Sequence, residues 1–133
     1  MLFIYWLEDN PQYAKRVDDI HSRMKHRNDQ LLTSSFTFGE VLAGVYRKGA
    51  QALVEKSNRL LQGAIAEVIP FTIETADQFA HIRGALGFSS PDAIHLACAA
   101  QAGADLFLTN DDKLVGKFVP GIQFIASLNT QLF

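Results

Sequence analysis

Apolar positions along the chain switch between a helical period and short buried runs, with turn residues between them. Tyr13, Val17 and Ile20 make a narrow apolar stripe in a polar segment, which predicts a helix from Asn10-Pro11 to about His26. Asn28-Asp29 reads as a turn and Gln30–Ser34 as a short strand. The segment Ser35 to Tyr46 places Phe38, Val41, Leu42 and Val45 on one helical face, and Arg47-Lys48-Gly49 closes it with cations and a glycine stop. A second helix is expected over Ala50 to Leu61, and a short strand at Glu67 to Phe71, ended by Pro70. Ile73 to Leu86 is expected to be helical, with Ala76, Phe79, Ala80 and Arg83 at helical spacing. Asp105–Leu108 reads as a buried strand, Thr109–Asp112 as the opening of a helical turn holding Leu114 and Val115, and Gly121–Ile125 as a last strand. Strands and helices alternating at short connections predict one three-layer α/β/α domain over residues 1–133, with a mostly parallel sheet.

The stretch Ser89 to Gly103 carries the fullest set of helix signals. Ser90 is placed to cap the first turn, Pro91 suits the first helical position, and Gly103 stops the helix. Ile94, Ala97 and Cys98 fall at i, i+3, i+4 and predict an apolar face. Asp92 stands in the first turn, where the helix dipole favours negative charge.

Composition narrows the options without choosing a function. A chain of 133 residues with 48% hydrophobic and 20% charged residues has the balance of a folded domain rather than a disordered one. The formal net charge of −2 offers no general attraction to nucleic acid, so any such contact needs a local patch or metal ions. The single cysteine, Cys98, excludes an internal disulfide framework and fits a reduced, cytoplasmic setting. Neither a run of about 18 apolar residues nor a signal-peptide pattern is present, so no membrane association is expected.

Three acids occupy the same kind of local position. Glu40 lies early in the helix after the strand Gln30–Ser34, Asp92 opens the Ser89 helix, and Asp111 follows the strand Asp105–Leu108. Segments after the strands of a parallel sheet gather at its carboxyl edge, where ligands bind. Each acid also has a local reading: Thr37-x-x-Glu40 and Thr109-x-x-Asp112 match capping boxes, and Asp92 is a dipole partner. Carboxylates that converge need a neutralising cation, and hard oxygen donors suit Mg²⁺ or Mn²⁺. Such ions activate water and clamp a phosphate during in-line displacement.

The ordered set of motifs resembles the PIN-domain family, which includes the toxin ribonucleases of VapBC toxin–antitoxin pairs. Phe3 to Pro11 is similar to the segment after the family's first acidic motif, and Ser34 to Ala43, with Glu40, to the second. Ser90-Pro-Asp-Ala-Ile-His-Leu-Ala97 resembles the third, and Leu108-Thr-Asn-Asp111 the fourth. The resemblance implies a metal-dependent ribonuclease with Glu40, Asp92 and Asp111 as catalytic metal ligands and Asp112 as substitute for Asp111. It further implies Mg²⁺ or Mn²⁺, an RNA substrate, a homodimer and an antitoxin partner covering the acidic crevice. Family members begin with a strand ending in an Asp-Thr-Asn-like motif, whereas this sequence starts at Met1 where that motif finishes. The resemblance therefore implies a missing ligand and central strand, weakened metal binding and exposed strand edges, with Glu8 and Asp9 as poor substitutes. The rival expectations are a PIN-fold module that binds RNA or protein without cutting, and an α/β domain whose acids are only caps.

The remaining polar residues read mostly as structure. His95, one turn beyond Asp92, reads as helix packing or surface rather than as a general base, and His21, His26 and His81 lack zinc spacing. Thr109 and Asn110 read as turn formers that could also orient water or phosphate. Arg47, Lys48, Lys113 and Lys117 read as solvated helix ends with a secondary role against an RNA backbone. Cys98 reads as a small core residue, and Phe3, Tyr5 and Trp6 as core or dimer interface.

Overall fold

The computed structural model describes residues 10–130. The apolar opening with Phe3, Tyr5 and Trp6, the acids Glu8 and Asp9, and the expectations about a first strand lie outside the described residues.

Asn10 begins the described chain as its sequence predicts: its Oδ1 accepts from the backbone of Gln12 and Tyr13, and helix α1 (Ala14–Arg27) follows. Asn28, in the left-handed conformation, ends it. Arg16 of α1 donates to the carbonyls of Leu128 and Thr130, tying this helix to the far end of the chain. Strand β1 (Leu32–Ser34) runs directly into α2 (Ser35–Arg47). A short 3₁₀ turn at Gln51–Leu53 leads to α3 (Val54–Ala64), where the sequence predicted one continuous helix. Val41 of α2 packs with Leu61 and Ile65 at the end of α3, and Phe38 and Leu31 lie against them.

Strand β2 (Glu67–Ile69) pairs with β1 in parallel. Helix α4 (Ile73–Gly84) starts with a capping box between Thr72 and Thr75. Its inward face is set by Thr75, Phe79 and Ile82, and of the residues noted at helical spacing only Phe79 lies against the core. The reason lies across the contact: Thr75 is fully buried against α5, where its hydroxyl meets Gln101, and that rotates Ala80 and Arg83 to solvent.

Helix α5 (Ser90–Ala102) is the centre of the packing. Ser89 is its cap, accepting from the Asp92 amide, and Ser90 is already helical, with its Oγ accepting from Arg83. The expected cap is thus one residue early, and Pro91 falls at the second helical position rather than the first. The core face is Ala93, Leu96, Ala97 and Ala100, while Ile94 is only half buried. Burying these small residues brings neighbouring backbone close. Gly121 sits at φ +97 with an added Cβ 2.9 Å from the Ala100 carbonyl, so a side chain there meets both strain and backbone.

Strands β3 (Leu106–Thr109) and β4 (Phe124–Ser127) pair in parallel. The last strand therefore begins three residues later than its apolar run suggested, because register with β3 aligns Leu106 with Phe124 and Thr109 with Ser127. Between them Asp111 to Lys117 forms turns instead of a helix, burying Leu114 and leaving Val115 exposed. Among the described residues the strands make two separate parallel pairs, β1–β2 and β3–β4. Helix α5 joins them, packing on β1 and β2 and sharing a core cluster with Phe107 and Ile125. The fold is of the α/β class with parallel strands, as expected from the sequence. Among the described residues no helix is long and apolar enough to cross a membrane.

Candidate functional site

A chain of polar side chains links the β1–α2 segment to α5. Glu40 is on the second turn of α2, and its Oε1 lies 2.8 Å from Nε2 of His95 on α5. The other ring nitrogen, Nδ1, lies 2.9 Å from the hydroxyl of Ser34, the last residue of β1. Phe36 borders the same ring, with centroids 5.4 Å apart at 53°. The side chains of His95 and Glu40 are 21% and 24% exposed, so the pair is shielded yet open to solvent on one side.

Chemistry assigns the protons. A carboxylate oxygen only accepts, so His95 donates through Nε2. In a neutral imidazole Nδ1 is then the acceptor, and the Ser34 hydroxyl donates to it. Ser34 occupies the cap position of α2, but its side chain makes no capping bond, since its hydroxyl is turned to His95. Nor does the predicted box between Thr37 and Glu40 form. Thr37 bonds the Thr33 hydroxyl at 2.8 Å, and Glu40 reaches across to a different helix.

Asp92 stands one helical turn before His95, so the two share a face of α5. Its Oδ2 accepts from Ser89 Oγ at 2.8 Å and its amide donates to the same oxygen at 3.4 Å, so it is a helix-start residue as expected. Among the described residues no hydrogen bond or ion pair reaches Oε2 of Glu40 or Oδ1 of Asp92. Asp111 is committed differently. Its amide donates to Thr109 Oγ1, and its Oδ1 accepts from the Lys113 amide, both at 3.0 Å, which is a local turn closing on itself.

The site thus joins Glu40 to His95, with Asp92 one turn before that histidine on α5, and leaves Asp111 in its own turn. The donor chemistry, hard carboxylate oxygens without protein partners, suits Mg²⁺ or Mn²⁺. The number of donors does not: among the described residues no group of three His, Cys, Asp or Glu could hold a metal ion. His95, read from sequence as packing or surface, is the residue that sequence reasoning passed over. Its partners lie 55 and 61 residues away, and its only sequence signal is the one-turn spacing from Asp92.

The other candidates keep their structural roles. Burial pushes the Cys98 thiol up, away from the thiolate a nucleophile needs. His26 and His81 are exposed. His21 has its pKa lowered, first by burial and then by Lys25, against smaller opposing effects of Asp18 and the Ala64 backbone. Arg47, Lys113, Lys117 and the substitute ligand Asp112 are exposed. Beside the site, Phe36, Phe71, Ile94, Ser35 and Gly39 line an apolar hollow of about 340 Å³.

No curated protein and no solved structure matches this chain. A family model does: the PIN domain, matched over residues 2–116, a span that includes Glu40, Asp92, His95 and Asp111. PIN domains act on nucleic acids, generally as nucleases that depend on divalent metals. With most of its length matched in this way, the chain belongs to the PIN domain family.

Proposed function

We propose that this chain is a single PIN domain that hydrolyses RNA phosphodiester bonds as a ribonuclease of the toxin type. The observation that carries the reading is that Glu40 and Asp92 both stand beside His95, Glu40 by hydrogen bond and Asp92 one turn before it on the same helix, each with a carboxylate oxygen that has no protein partner among the described residues. In this reading Glu40, Asp92 and Asp111 supply oxygen ligands to Mg²⁺ or Mn²⁺, with Asp111, or Asp112 in its place, released from its turn. The metal would supply an activated water and charge neutralisation at the phosphate. The chain's own contribution is to hold Glu40 and Asp92 in place and to keep one side of the pair open. A homodimer, an antitoxin partner over the acidic surface and a cytoplasmic setting complete the proposal, all by analogy with the toxin branch of the family.

A second reading, an RNA- or protein-binding PIN module without cleavage, is favoured by the lack of any three-ligand group among the described residues. Cleavage of a mixed RNA pool with Mg²⁺, with Mn²⁺ and with EDTA separates the two. The ribonuclease reading expects metal-dependent cleavage that Glu40→Gln and Asp92→Asn both abolish. Retained RNA binding with no cleavage in any metal establishes the second reading instead.

A further inference from the structure

We infer that His95 is a positioning residue for Glu40, holding one carboxylate oxygen so that the other is presented at the site. The inference rests on the ribonuclease reading for its purpose, but the arrangement itself stands on geometry. His95 Nε2 takes Oε1 of Glu40 at 2.8 Å, and nothing among the described residues takes Oε2. A glutamate side chain has several staggered rotamers open to it, and this bond selects one of them.

The ring that does the selecting is itself gripped from one segment. Ser34 binds Nδ1, Phe36 lies against the ring face at a tilt, and Glu40 binds Nε2. All three belong to the β1–α2 junction, while His95 belongs to α5. The Ser34 hydroxyl is the informative member. A serine at a helix cap ordinarily accepts from the first-turn amides. Here that role is given up, and the hydroxyl orients an imidazole on another helix. The Glu40 carboxylate, which only accepts, places the ring proton on Nε2, and the Ser34 hydroxyl, able to donate, matches the acceptor left at Nδ1. Glu40 thus sets the tautomer, Ser34 orients the ring through Nδ1, His95 fixes the carboxylate, and Asp92 presents its own oxygen one turn before His95 on the same helix. This is the arrangement by which residues behind a ligand orient it.

Two measurements test the inference on the intact chain. Nitrogen NMR of the His95 ring at neutral pH should show the proton on Nε2, and Ser34→Ala should perturb the Nδ1 signal. A ring with Nε2 unprotonated overturns the inference, whether or not the protein cleaves RNA. The second measurement is rescue. His95→Gln, which keeps an N–H donor near the position of Nε2, should retain most of the turnover. His95→Leu should lower kcat roughly 10–100-fold, with both variants folded by circular dichroism. Equal losses for the two variants overturn the inference, since a packing role does not distinguish an amide donor from an isobutyl group. If the unaltered chain cleaves no RNA, the ribonuclease reading fails and the ring spectrum alone decides the positioning role.

Discussion

Two acids stand in equivalent places, each just beyond the end of a strand, and the fold treats them differently. Glu40, on the second turn of the helix after β1, turns its side chain to a residue 55 positions away. Asp111, after β3, is bound by the amide two residues ahead of it. The difference follows from what each segment becomes. The chain after β1 continues as a 13-residue helix, whose second turn faces α5. The chain after β3 breaks into consecutive turns, and a turn satisfies its carboxylate locally. An acid after a strand is thus held ready at a shared site only when the following element carries it toward a partner, and otherwise must first leave its turn.

The largest effect is expected from hollowing the core cluster under α5. Leu96 is fully buried beside His95 on α5, and Leu96→Ala should cost about 2–5 kcal/mol in urea denaturation. Because Leu96 packs with Val119 and Ile122, and Phe107 lies against that cluster, the side of the molecule that carries Asp111 should be the more disturbed of the two in amide exchange. Equal exposure of both regions would erase the contrast.

The next effect concerns metal. If the regions differ as described, Glu40→Gln should weaken Mn²⁺ binding at least about tenfold more than Asp111→Asn does, about 1.4 kcal/mol by calorimetry. A larger loss from Asp111→Asn would show that its turn opens on binding and that the two acids act as equals.

Smaller changes probe the supports on either side. Gly121→Ala, where the loop behind Asp111 meets Ala100, should cost more than about 1 kcal/mol, because the position needs positive φ and has no room for Cβ. Ser89→Ala should cost about 1 kcal/mol by removing the α5 cap, while Asp92→Asn should stay within about 0.5 kcal/mol in stability. An Asp92→Asn variant as unstable as Ser89→Ala would make Asp92 chiefly a cap.

The smallest effect is a control in neither region. His21 has a folded pKa below its ordinary value of 6.5, so the unfolded chain binds more protons as pH falls. Its contribution to stability is therefore present above about pH 6.5 and lost on acidification toward the folded value. His21→Gln should flatten that part of the melting-temperature profile and leave the Glu40–His95 contact unchanged. An unaltered profile would remove His21 from the acid response.

Much of this molecule was legible without coordinates because its signals are local. The α2 span, the Gly103 stop, the first-turn position of Asp92 and the α/β alternation each depend on residues within a turn or two of one another. Local signals also misled by small steps: Ser89 rather than Ser90 caps α5, and the box at Thr72 and Thr75 went unread because two threonines carry no charge pattern. What the sequence alone settled, then, was which segments are helices and strands, and which acids stand near their starts. Only the tertiary structure decided that Glu40 is not a cap, that Asp111 is held by its own turn, and that His95 joins Ser34 to Glu40. The physical reason is distance along the chain. A hydrogen bond between residues 55 or 61 apart leaves no period or spacing in either segment, and it exists only because α5 packs on β1 in the folded chain.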